Sequence, residues 1–226
     1  MKIGFFGKLP GYGDFVQRNV SPEFIQYWDN WILQSLSTSN EQLGDLWRSK
    51  YFNGPIWRFV LGQSEASVTP VAGLLMPSVD KAGRCYPFTV ICQAETSVNP
   101  FVCARKIDKL HLAAEDFLIS LLENERPDLD DITKVLSDIY KNLKESECQS
   151  IDTGSVSSAM ELACVTEVNS LDFILGNESF LHMLVEKQHT DISIWSMGNT
   201  VDTNPQIRYF SGMPPADSYY SFLATE

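Results

Sequence analysis

Hydrophobic and polar positions alternate between two rhythms along this chain. KIGFFG, residues 2–7, is an almost unbroken apolar run closed by glycine, the pattern of a short buried strand. From residue 21 the spacing widens to that of a helix. In SPEFIQYWDNWILQSL, Phe24, Trp28, Trp31, Ile32 and Ser35 share one face, with Tyr27 beside them. Ser21 suits the N-cap and Pro22 the first helical position. NEQLGDLWRSKYF, residues 40–52, predicts a second, shorter helix that Asn53-Gly54-Pro55 ends.

The rhythm then tightens again. IWRFVLG (56–62), TPVAGLLMPS (69–78) and YPFTVICQAE (86–95) are short β-rich runs parted by Gly, Ser and Pro, and their close succession predicts antiparallel pairing. RKIDKLHLAAEDFLISLLE (105–123) returns to helical period, with Ile107, Leu110, Ala114, Phe117, Leu118 and Leu121 on one face. Pro127 follows, and DLDDITKVLSDIYKNLKE (128–145) predicts another helix. SECQSIDTGSVSS (146–158) reads as a loose loop. AMELACVTEV (159–168) fits helix or strand equally, while NESFLHMLVEKQ (177–188) has helical spacing. DISIWSMG and QIRYFSGMP predict two late strands, and PADSYYSFLA a short closing helix. No repeat is visible. The order predicts a single α+β domain over residues 1–226 whose helices cover a largely antiparallel central sheet.

Composition narrows the function classes. At 226 residues and 44% hydrophobic, the chain can bury a core without staples. No apolar run approaches the roughly 20 residues of a membrane span, and the N-terminal stretch lacks a signal-peptide pattern, so a cytoplasmic location without direct membrane insertion is expected. The five cysteines form no CxxC pair and do not combine with the three histidines at zinc-site spacing. They read as buried free thiols, and no metal or cofactor is expected. The net charge of −12 is one-sided: residues 1–100 hold 8 basic and 8 acidic side chains, residues 101–226 hold 9 and 21. A phosphate backbone would be repelled by that half, so no nucleic-acid partner is expected; a basic protein surface would be attracted.

GKLPGYGDF, residues 7–15, looks at first like a phosphate loop. A P-loop aligned on Gly7-Lys8 needs glycine where Lys2 stands and a magnesium-ligating hydroxyl where Leu9 stands. A dinucleotide fingerprint started at Gly11 finds Gly13 but then meets Val16. The loop reads instead as a turn through Pro10-Gly11 and Gly13, with Asp14 free to accept backbone N–H groups or to pair with Lys8 or a distant arginine. A small-ligand or nucleotide-binding enzyme using loop 7–15 is the alternative function. Catalysis has little else to stand on: MPSVD around Ser78 is not a nucleophile elbow, and no histidine lies in residues 1–95.

GFFGKLPGYGDFVQR, YWDNWI, GPIWRF, GLLMPSVDKAGRCYPFTV and the late GMPP occur in the order seen in the TagF/ImpM family of type VI secretion accessory proteins, which the chain resembles. The likeness is dense over residues 1–95, thin through the acidic 96–190, and partly recovered in ISIWSMG and GMPP. The resemblance implies an α-β-α sandwich. It implies a non-enzymatic bacterial repressor of type VI secretion, acting after translation by binding the machine's forkhead-associated-domain scaffold protein. The motif positions are Gly7, Lys8, Pro10, Gly13, Asp14, Phe15, Trp28, Trp57, Arg58, Pro77, Ser78, Asp80, Gly83, Arg84 and Pro87. The charged members, set among Gly, Pro and aromatics, fit two readings. They form a hydrogen-bonded network pinning loop 7–15 to the SVDKAGR turn, or they face outward as a docking site, with Lys8 and Arg84 lining an anionic groove.

Overall fold

A computed structural model describes residues 2–64, 67–93, 100–146, 191–198 and 206–223. The fold is mixed α+β, built on a seven-stranded sheet in which every pairing is antiparallel. The strands are β1 (Lys2–Gly7), β2 (Val16–Arg18), β3 (Trp57–Leu61), β4 (Val71–Met76), β5 (Phe88–Gln93), β6 (Ile192–Met197) and β7 (Gln206–Ser211). Their order across the sheet is β2-β1-β5-β4-β3-β6-β7. The helices are α1 (Pro22–Leu43), α2 (Trp47–Phe52), α3 (Pro100–Glu123), α4 (Leu129–Ser146) and a closing turn of helix, α5 (Tyr220–Leu223).

Successive strand residues serve two different cores, as the period of two requires. Val60 of β3 and Phe88, Val90 and Cys92 of β5 join Ile107, Leu110, Ala114 and Leu118 of α3 and Ile132 and Leu136 of α4. Trp57, Phe59 and Leu61, with Ile91, join Phe24, Trp28, Trp31 and Ile32 of α1 and Phe222 of α5. The second core is aromatic. Trp28 is fully buried, with its ring centroid 4.6 Å from Phe59 and 6.1 Å from Trp195. Its indole N–H donates to Thr89 Oγ1 at 3.1 Å, so the polar edge of the ring is satisfied inside the core.

Three elements depart from the sequence expectation. Helix α1 does not stop at residue 36 but runs to Leu43, because the polar stretch STSNEQL contains no breaker. Gly44, at φ 52°, ends it in the left-handed region that glycine enters cheaply. A single 3₁₀ turn, Gly44–Leu46, leads into α2, so the second helix is six residues long. Strand β2 is three residues of VQR with no apolar period, formed by pairing Phe5 with Arg18 and Gly7 with Val16. The Ser21 cap is as expected, its Oγ accepting from Phe24 N. The readings made for 147–158, 159–168 and 177–188 lie outside the described residues.

Candidate functional site

The loop after β1 and the turn between β4 and β5 close into one rigid corner. At its centre is Asp80, whose side chain is fully buried. Its Oδ1 accepts from the backbone N–H groups of Ala82 and Arg84, both at 2.9 Å. Its Oδ2 accepts from Lys8 Nζ at 2.9 Å and Arg84 Nε at 2.6 Å. Gly83, at φ 77°, donates to the Asp80 carbonyl and closes the turn. Burial alone would raise the pKa of this carboxyl. The Arg84 N–H, the Lys8 ammonium and the Arg84 guanidinium outweigh burial and hold it well below the usual carboxylate range.

The corner is tied to the loop at further points. Ser78 Oγ donates to the Lys8 carbonyl at 2.7 Å, Lys81 N to the Tyr12 carbonyl at 2.8 Å, and Arg84 Nη2 to the Gly13 carbonyl at 2.9 Å. Tyr51 of α2 braces it from behind, its hydroxyl donating to the Ser78 carbonyl and accepting from Ser78 N. Two glycines make the approach possible. Gly7, at φ 143°, lies so close to the Pro87 carbonyl that any Cβ would collide with it, and Gly11 meets the Glu125 carbonyl in the same way.

Lys8 and Arg84 therefore do not line an anionic groove: both turn to Asp80, and Lys8 is buried. Asp14 pairs with neither Lys8 nor an arginine in the hydrogen bonds described; it is exposed, and its Oδ1 accepts from Phe15 N. Gly13 faces open space. Pro10 and Pro77 are partly buried and Pro87 is buried. What the corner presents outward is an aromatic. Phe15 is 42% exposed, stacks on Phe6 at 5.3 Å, meets Tyr86 edge-on at 4.7 Å, and carries the Lys8 ammonium 5.1 Å over its ring.

The remaining motif residues stand elsewhere. Trp28 belongs to the aromatic core. Trp57 is buried, its indole N–H donating to the Phe222 carbonyl. Arg58, the next residue, faces the opposite core and is also buried; its Nη2 lies 3.1 Å from His111 Nδ1 on α3. Arg58 is thus no part of the Asp80 network. The sequence reading gave His111 no role because it weighed the histidines only as metal ligands or as a distant base for a serine nucleophile. Its spacing from Ile107 (i+4) puts it on the buried stripe of α3.

Ser78 is 2% exposed with its hydroxyl already donating to the chain. Cys92 and Cys103 are buried and Cys85 is partly exposed, none of the three in a disulfide among the described residues; Cys148 and Cys164 lie outside those residues. No cluster of three or more His, Cys, Asp or Glu suited to a metal occurs among the described residues, and no helix among them is long and apolar enough to cross a membrane.

Comparison with known proteins comes down on the same stretch of chain. The family model described as the TagF N-terminal domain, type VI secretion system-associated, matches residues 4–139. Among solved structures, the fold is similar to the crystal structure of PA0076 from Pseudomonas aeruginosa PAO1 at 2.05 Å resolution. The TM-score is 0.69 and the identity 23%, over 98% of this chain and 94% of that one. Comparison with curated proteins gives no match.

Proposed function

The chain belongs to the TagF family, proteins associated with type VI secretion, and from that premise we propose that it acts as a binding protein rather than an enzyme. It represses secretion after translation by docking on the forkhead-associated-domain scaffold protein of the machine. We also read the two cores, one served by α3 and α4 and the other by α1 and α5, as the layers of an α-β-α sandwich.

The observation that carries the binding reading is the corner itself. Phe15 is an exposed aromatic on a loop held to Asp80 through the Lys8 ammonium and fastened along its backbone by Ser78 Oγ, Lys81 N and Arg84 Nη2. Such a group reaches a partner with little ordering left to lose, which is how rigid aromatic anchors contribute to interfaces. Lys81, Ala82 and Arg84 lie exposed on the facing turn and extend the surface. Nucleotide binding by the loop is disfavoured because Lys8, the residue that would reach a phosphate, is buried against Asp80.

Calorimetric titration of the folded chain into the forkhead-associated scaffold protein tests this. Saturable binding at micromolar affinity or better is expected. A folded chain that does not bind, yet gains thermal stability with ATP and magnesium, would replace the reading with the nucleotide-binding one.

A further inference from the structure

Behind the corner, between the α2–β3 connection and α3, lies a cavity of about 560 Å³. That is within the roughly 300–1,000 Å³ typical of small-molecule sites. Its walls are apolar: Ile56 and Met76 lie on the sheet side, Leu112 and Ile119 on α3. Phe52, Leu112 and Ile119 are 48%, 70% and 45% exposed, so three of the larger apolar side chains that this fold leaves in contact with solvent gather around one cavity.

The cavity has two buried polar lining residues, Arg58 and His111, each 4% exposed. Arg58 Nη2 can only donate, so His111 Nδ1 accepts from it and the imidazole proton sits on Nε2. That Nε2–H has no hydrogen-bond partner among the described residues. A buried donor left in this way is costly and is satisfied by any acceptor that reaches it. Nε2 itself is covered, so an acceptor in the cavity reaches it only when the ring turns.

We propose that this cavity binds a small amphipathic carboxylate, with its apolar body between β4 and α3 and its carboxylate on the His111 Nε2–H in the field of the Arg58 guanidinium. The charges around the site define the class. A cation would meet Arg58. A dianion such as a phosphate monoester would bring a second charge toward Glu115, which lines the cavity with its carboxylate 4.0 Å from His111 Nδ1. A single negative charge is repelled by Glu115 less than a dianion is, and an apolar body suits the lining. This inference is independent of the docking reading, since none of its polar groups belongs to the Asp80 network.

The test uses the full chain with 4-phenylbutyrate and its uncharged amide as probes. Nitrogen NMR of the three histidine rings is the readout, His111 being assigned by its loss in His111→Gln. The carboxylate is expected to bind saturably, to move the His111 ring signals and not those of His182 or His189, and to bind at least about tenfold more tightly than the amide. Leu112→Glu, at an exposed wall position, adds a negative charge without disturbing a core and is expected to weaken the carboxylate at least about fivefold. Absence of saturable binding would overturn the proposal. So would equal affinity for acid and amide, which would leave only an apolar crevice, or binding that moves no His111 signal.

Discussion

At the scale of single residues, this protein is organised by a few buried polar groups whose partners decide their chemistry. Asp80 is the clearest. Four donors converge on its carboxylate, and removing its charge leaves the Lys8 ammonium buried without its counter-ion. Breaking a buried pair from one side costs roughly 3–5 kcal/mol. Asp80→Asn should therefore destabilise the fold by about 3 kcal/mol in a denaturant titration, whereas Asp14→Asn, at an exposed position, should change it by less than about 0.5 kcal/mol.

His111 gives a prediction in pH. Burial first, and the Arg58 charge second, push its pKa down to about 4 from an ordinary 6.5. As pH falls below 6.5 the unfolded chain takes up the proton before the folded chain does, so stability declines between about pH 6.5 and 4, by up to about 3 kcal/mol. Asp80 acts below that window: its pKa is depressed in the fold, so its contribution is intact above the ordinary carboxylate value and is lost as pH falls through and below it. Thermal unfolding across pH should show the first decline in the wild type and a flatter curve from pH 6.5 to 4 in His111→Gln.

At the scale of elements, apolar rhythm was a good guide wherever an element buries a face. Strands β3, β4 and β5 stood out because each is a short apolar run between breakers, and the α1 face was readable from Phe24, Trp28 and Trp31. What escaped has a physical cause. Strand β2 buries a single side chain, Val16, too few to show a period, and exists through its ladder to β1. The last two turns of α1 are polar, and only Gly44 marks their end. The joining of Lys8, Asp80 and Arg84 was one of two readings because sequence does not show which way a charged side chain turns. The Arg58–His111 contact was invisible because it joins residues 53 positions apart on different elements.

Two substitutions test the packing. Trp28→Ala removes a fully buried indole from the aromatic core and should cost about 3–5 kcal/mol. Gly11→Ala drives a methyl into the Glu125 carbonyl and should lower the melting temperature, whereas Gly13→Ala, with nothing near its Cβ position, should leave it almost unchanged.

At the scale of the whole molecule, an all-antiparallel sheet carries a rigid corner, an exposed aromatic and, behind them, an apolar-walled cavity. Ser78 to Arg84 belong to the corner, while Met76, the last residue of β4, and Pro77, the first of the β4–β5 connection, line the cavity. Membership of the TagF family associates the molecule with type VI secretion, and the proposed docking rests on the corner. The most direct test of that account is a calorimetric titration of the forkhead-associated scaffold protein with the wild-type chain and with Phe15→Ser, whose side chain is partly outside the core. The account predicts that Phe15→Ser keeps its fold, by circular dichroism and melting, yet binds at least about tenfold more weakly, as expected for loss of an aromatic anchor. A folded Phe15→Ser variant that binds the scaffold as tightly as the wild type would contradict it.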